Sequence, residues 1–304
     1  MQALWMVVAS LLFAAMGVCI KNAYAYFNTA ELIAYRGGLS AVVLLGIMRW
    51  QGTPLKTTVP IMHLWRSVVG VASLASWFYA IGGLPLSTAM TLNYMSSVWV
   101  ATFLVGGALL LITRGDSLTQ AKASAGLNGW LIGTIVLGFI GVSFILKPSI
   151  EQNQLWPGFV GLLSGVGAAL AYLQVAALGR IGEPDSRVVL YFSLCAAVCG
   201  IVAAQFSGWN ELTWAGLKWL VPMALLAVGG QLLMTRAYSR GATLVVANLQ
   251  YTGVVFGALF GVWVFDEQLD ADAWIGMTMI IASGIGATIL REKTSPNLHQ
   301  EDRP

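Results

Sequence analysis

Three features predict an all-α integral membrane protein of ten transmembrane helices arranged as two inverted five-helix repeats. These are apolar runs of near-constant length, basic residues that favour alternate connections, and a weak similarity between the two halves. Of the 304 residues, 58% are hydrophobic and only 10% charged, against roughly 25% charged in soluble domains. A soluble fold of this size could not cover itself with polar groups. A bilayer supplies an apolar solvent but requires that backbone N–H and C=O groups be satisfied internally, which leaves helices or closed barrels. The apolar runs are continuous over about 20 residues, as spanning helices require, and do not alternate over about 10 as barrel strands do.

The first span is predicted at 2–20. Ala23-Tyr24-Ala25 behind it has the small-x-small form of a signal-peptidase site. No Lys or Arg precedes the run, however, and it exceeds the usual h-region of roughly 7–15 residues, so it reads as a retained helix. Spans at 29–48, 65–83, 87–111 and 127–146 complete a first repeat over residues 1–148. Those at 156–179, 187–207, 215–236, 241–265 and 273–290 form a second over 149–290, with residues 291–304 as a polar tail. The longest polar connections run from Arg49 to Leu64 and from Arg114 to Ala125, and no separate soluble domain fits between the spans. Pro85 and Pro222 fall at or near helix starts, where proline is tolerated. Gly253, Gly257 and Gly261 recur every fourth residue on one stripe of the ninth span, which suits close helix packing.

Lys and Arg favour cytoplasmic connections. With the N-terminus inside, twelve of the 16 basic residues lie in cytoplasmic loops and the tail, Lys21, Lys147 and Lys218 lie opposite, and Arg36 lies within a span. Both termini are therefore expected in the cytoplasm. Adding or removing one middle span would erase the bias. The formal net charge of +3 is scattered along the chain, without the basic stripe that nucleic acid requires. Cys19, Cys195 and Cys199 lie in apolar runs with no metal or disulfide spacing and read as packing thiols. No cofactor is expected.

Placing Leu92-Asn93-Tyr94 over Leu249-Gln250-Tyr251 brings Tyr79-Ala80 onto Arg236-Ala237, Ser96 onto Gly253 and Val98 onto Val255, while Ala34-Tyr35 falls near Leu190-Tyr191. Five helices per half give the halves opposite orientations. Inverted repeats of this kind are a common plan in secondary transporters, with the substrate near the midplane between the repeats.

Several segments resemble the EamA-type branch of the drug/metabolite transporter superfamily. They are Leu64-Trp65-Arg66 at the third span, Leu92-Asn93-Tyr94-Met95-Ser96-Ser97-Val98 in the fourth, and Gly261-Val262-Trp263-Val264-Phe265-Asp266-Glu267 closing the ninth. With the ten-helix layout, the resemblance covers nearly the whole chain. It implies a multi-pass carrier of the bacterial inner membrane; many members export amino acids or related metabolites, and others move nucleotides, vitamins or cofactors. Where that family often carries a Gly-Glu pair after the fourth helix, this chain reads Leu111-Ile112-Thr113-Arg114-Gly115-Asp116, followed by a longer loop.

Arg36 is the leading candidate for a binding residue, about two turns inside the second span. An arginine at the bilayer centre costs about 2.5–3.5 kcal/mol on insertion scales, so its presence implies a partner or an aqueous cavity. One reading has it holding a substrate carboxylate or phosphate; the other has it snorkelling to the interface with Glu31 as a counter-charge. Asn93, Tyr94, Asn248, Gln250 and Tyr251 occupy matching positions in the fourth and ninth spans, where amides need hydrogen-bond partners from a ligand or a neighbouring helix. Trp77, Tyr79 and Tyr172 join them as candidate cavity residues, with Trp99, Gln174 and Gln231 behind, although aromatics also serve as packing groups and interfacial anchors. Arg66 and Arg236 read as interfacial, and Asp266, Glu267, Asp270 and Asp272 as a solvated acidic loop. Glu31 is the one plausible proton carrier.

No His falls within a predicted span and no carboxylates pair, which argues against a membrane enzyme. Nothing suggests a selectivity filter. The expected function is secondary, non-ATP transport of a small polar metabolite, most simply an amino acid or related compound, by alternating access. A vitamin, nucleotide or methyl-donor cofactor is the alternative cargo, and a non-transporting receptor or assembly subunit the alternative class. The expected partners are a small-molecule substrate and the lipid bilayer, not nucleic acid, with a homodimer left open.

Overall fold

The computed structural model describes residues 2–113, 129–146, 154–266, 268 and 271–294. The expectations for the loop from Arg114 to Ala125, for Glu267 and Asp270 and for the tail beyond Thr294 lie outside the described residues. So does the Arg114-Gly115-Asp116 part of the segment compared with the Gly-Glu pair.

Every described element is an α-helix: α1 (Gln2–Ala23), α2 (Thr29–Gln51), α3 (Pro60–Gly83), α4 (Leu86–Tyr94), α5 (Ser96–Thr113) and α6 (Gly129–Leu146), then α7 (Leu155–Arg180), α8 (Asp185–Ser207), α9 (Trp214–Arg240), α10 (Thr243–Leu249), α11 (Thr252–Phe265) and α12 (Ala271–Thr294). Taking α10 and α11 together, seven stretches of the described residues are long and apolar enough to cross a bilayer. The chain is a multi-pass membrane protein.

Local sequence explains several boundaries. Asn28 accepts from the Glu31 N–H (3.0 Å) and Glu31 accepts from the Asn28 N–H (2.8 Å), a reciprocal cap that starts α2. At its other end α2 stops on Gly52, whose φ of 66° needs a residue without Cβ. α3 begins at Pro60, not at residue 65, because proline in the first turn gives up no intrahelical donor. This extra turn carries His63 into the helix. Pro222 lies inside α9, not at its start.

The fourth and ninth spans are each interrupted. Met95 separates α4 from α5, and Gln250-Tyr251 separates α10 from α11. The breaks stay right-handed, with φ/ψ of −57°/−13° at Met95, −58°/−30° at Gln250 and −59°/−21° at Tyr251. Bonds of the tighter i→i+3 kind appear there: Val98 N–H to Met95 O (2.9 Å), Tyr251 N–H to Asn248 O (3.1 Å) and Gly253 N–H to Gln250 O (2.9 Å). These are single 3₁₀-type turns within otherwise helical segments.

The principal helix pairs are α2 with α8, α1 with α9, α3 with α7 and α6 with α12. Exchanging α1 with α7, α2 with α8, α3 with α9, α4–α5 with α10–α11 and α6 with α12 turns this set into itself. The α2/α8 contact is made backbone to backbone. A Cβ on Gly37 would strike the Ala197 nitrogen, and one on Gly200 would strike the Ala34 nitrogen.

Each end of the bundle is tied between the first and second halves of the chain. At one end Asn28 Nδ2 donates to Gly208 O (3.0 Å), and Asn210 donates its N–H (2.6 Å) and Nδ2 (2.7 Å) to the Glu31 carboxylate. At the other end Thr57 Oγ1 donates to Glu183 (2.8 Å), Arg187 Nη1 donates to Glu183 (3.0 Å), and Arg187 Nε and Nη2 donate to Pro54 O (3.0 and 2.7 Å).

Candidate functional site

A cavity of about 50 Å³ lies between these two tied ends, bounded by α1, α2, α3, α4, α7, α8 and α9. It is small beside the roughly 300–1,000 Å³ of ordinary ligand sites. A ligand of ordinary size does not fit the cavity at this volume.

Two arginines dominate its wall. Arg36 from α2 is 1% exposed and Arg66 from α3 is 2% exposed. Their guanidinium carbons lie 5.4 and 4.5 Å from the centroid of one ring, Phe192 of α8. On both, Nε and Nη1 are buried without a hydrogen-bond partner. Among the described residues the buried carboxylates are Glu31 and Glu183, and each is engaged at an end of the bundle. A desolvated cation–π contact contributes about 2 kcal/mol, which compensates a buried charge only in part.

The space for Arg66 is built into the sequence one turn further along α3. A Cβ on Gly70 would collide with Arg66 Nη1 and come within 3.1 Å of the Phe192 ring. Trp77, on the same helix, lines the cavity and leaves Nε1 unpaired. From α4, Asn93 Nδ2 donates to Ser164 Oγ (3.0 Å), which itself donates to Gly161 O (2.6 Å), fixing the amide. Tyr94 also lines the wall, with its hydroxyl lying over Gly253. Tyr172 stacks on Tyr238 at 5.0 Å and 16°, and Gln231 of α9 has an unpartnered buried Oε1.

Arg36, Trp77, Asn93, Tyr94 and Tyr172, singled out from the sequence, thus meet at one cavity, joined by Gln231. Asn248, Gln250 and Tyr251 do not line it. Asn248 donates to Ser283 O (3.0 Å) and accepts from Ser283 Oγ (2.7 Å), and Gln250 Oε1 accepts from the Tyr238 hydroxyl (2.9 Å). Tyr251 is wholly buried against Gly138 of α6. Tyr79 is 43% exposed on the outer face of α3. Trp99 stacks on Phe103 (6.3 Å) away from the cavity, and Gln174 is also outside its lining.

Two expectations about charge need correction. Arg66 is not interfacial: with α3 starting at Pro60 it sits in the second turn and turns inward. Glu31 is not the counter-charge of Arg36, because its carboxylate is spent on the α2 cap and on Asn210. Arg236 is exposed with its guanidinium 4.7 Å from the Trp5 ring. Phe192 was not anticipated, although it follows Leu190-Tyr191 as Arg36 follows Ala34-Tyr35. The Arg66/Gly70 spacing was the other available signal.

At the Thr57 end, burial raises the Glu183 pKa. Hydrogen bonds from Thr57 and Arg187 and the approach of His63 Nε2 (3.2 Å) outweigh it and hold the carboxyl below its usual range. Among the described residues no His, Cys, Asp or Glu cluster has the makings of a metal site.

Residues 1–109 and 155–289 match the EamA-like transporter family. The pseudopaline exporter CntI of Pseudomonas aeruginosa is 32% identical over 287 residues, covering 92% of this chain and 93% of its own. An S-adenosylmethionine uptake transporter of Rickettsia felis is 24% identical over 281 residues, covering 90% and 87% respectively. A solved crystal structure shares the fold with a TM-score of 0.74 at 16% identity, over 97% of this chain and 99% of the other.

Proposed function

The chain belongs to the EamA-like transporter family, and from that premise we propose that it carries a small polar metabolite, an amino acid or related compound, across the bacterial inner membrane by alternating access. That it is a small-molecule transporter in a lipid bilayer, and not an enzyme, follows from the family and its named relatives. The observation that carries the finer reading is the buried pair of unpartnered arginines at a cavity built by both halves of the chain.

In this reading α4–α5 and α10–α11 each count as one span, which makes ten. Residues 1–148 and 149–290 are inverted repeats, supported by the reciprocal helix pairing, and the site between them accords with the usual plan of such carriers. Both termini are cytoplasmic, so the bonds of Thr57 to Glu183 and of Arg187 to Pro54 close the cytoplasmic end and the Glu31–Asn210 tie the other. Releasing one tie at a time opens the site to one side at a time. Arg36, Arg66, Trp77, Asn93, Tyr94 and Tyr172 bind the cargo. Asn248, Gln250 and Tyr251 hold the second helix break, and Tyr79 faces lipid. A cationic methyl donor fits poorly, because two arginines and no carboxylate line the cavity.

The test is counterflow of labelled amino acids into proteoliposomes loaded with unlabelled compound. Native protein should accumulate label for at least one member of the panel, and Arg36→Ala, inserted and folded normally, should not. Native-like flux through Arg36→Ala would remove the site assignment.

A further inference from the structure

We propose that the cargo carries two negative charges, as two carboxylates or as one phosphate ester, neutralised by Arg36 and Arg66 together beside the Phe192 ring. The proposal rests on the carrier reading above and names the class of molecule that reading leaves open.

The argument begins with charge. Two guanidinium groups, which stay protonated in proteins, stand at one aromatic ring, and both arginines are buried. A single monoanion would leave one buried cation uncompensated, an arrangement that is strongly unfavourable in a low-dielectric interior. Among the described residues no carboxylate reaches either arginine, since Glu31 and Glu183 are held at the two ends by Asn210 and Arg187. Among the described residues nothing supplies the missing negative charge, and the proposal assigns it to the cargo.

The site is also built to hold both cations. Gly70 gives up its Cβ to admit the Arg66 guanidinium. Trp77 Nε1 adds another buried donor without a partner. The four unpartnered guanidine nitrogens, Nε and Nη1 of each arginine, form a donor set that suits carboxylate or phosphate oxygens. Both arginines come from the first half of the chain and Phe192 from the second. A dianion drawn between them thus bears on helices of both halves at once.

The experiment compares matched compounds on the native, full-length protein in detergent. Thermal-shift titration is run with glutarate against monomethyl glutarate, L-glutamate against L-glutamine, and phenyl phosphate against benzenesulfonate. At least one member bearing the extra negative charge should bind tenfold or more tightly than its partner, and the pair that shows this tells carboxylates from phosphate. Arg36→Gln and Arg66→Gln should each bring that ratio close to one. Equal binding within all three pairs, no binding by glutarate, L-glutamate or phenyl phosphate at 10 mM, or an unchanged ratio in both folded variants would overturn the proposal. If the variants do not fold, the native comparison still decides it. Counterflow with the same compounds separates this inference from the carrier reading. Selective binding without flux would leave the dianion site and remove the transport role. Flux of neutral or monoanionic compounds with no preference for dianions would do the reverse.

Discussion

Asn93-Tyr94 at the end of α4 and Gln250-Tyr251 between α10 and α11 look like the same device written twice, each next to a 3₁₀-type turn in a spanning segment. Their surroundings differ. Asn93 and Tyr94 border a cavity whose neighbouring arginines lack partners, while Asn248 and Gln250 close their hydrogen bonds on Ser283 and Tyr238. The first break borders the cavity, while the amides at the second break are spent on neighbouring helices. An amide in a membrane helix is thus evidence of a partner, but the partner's identity lies in packing, not in the motif.

Opposite responses to substitution would sharpen that contrast, and matching responses would break it. The largest effect is expected at Arg66. Charge-assisted hydrogen bonds contribute about 1.5–3 kcal/mol each, so Arg66→Ala should cut transport at least tenfold. The melting temperature should hold or rise, because a buried unpaired charge has gone. Asn248→Ala should do the reverse, lowering stability by about 1–3 kcal/mol through the buried hydrogen bonds lost to Ser283 while the folded fraction transports normally. Flux and thermal melts on the same preparations check both. An intermediate effect is expected at Gly70→Ala, which displaces the Arg66 guanidinium without deleting it. Ligand affinity should fall several-fold with little change in melting.

The smallest effect belongs to the tie outside both breaks. The folded pKa of Glu183 lies below its unfolded value, so the stability it contributes is present above the ordinary carboxylate range and disappears as pH falls through the lowered value. Melting of Glu183→Gln should therefore lie below that of the native protein at neutral pH, with the two curves converging in acid.

Arg36 was legible because a charge inside an apolar run is conspicuous on any hydropathy scale. Arg66 was not, because the helix start was placed by composition at residue 65, whereas Pro60 adds an earlier turn and moves Arg66 from the interface to the second turn. The helix breaks were hidden for another reason: Met95, Gln250 and Tyr251 include neither Gly nor Pro, the residues that ordinarily announce an interruption. The fates of Asn248 and Gln250 depend on Ser283 and Tyr238, which lie 35 and 12 residues away in sequence. No local pattern reports such a contact.

The glycine contact between α2 and α8 has a practical corollary. Side chains at an interface can absorb a shift by changing rotamer, but Gly37 against Ala197 and Gly200 against Ala34 offer only main-chain atoms, which have no such slack. Val42 and Val198, exposed on these helices, can therefore carry paired spin labels as an internal ruler. Their separation, measured beside the pivot that lies between the two ties, should change less through the working cycle than the separations at the tied ends.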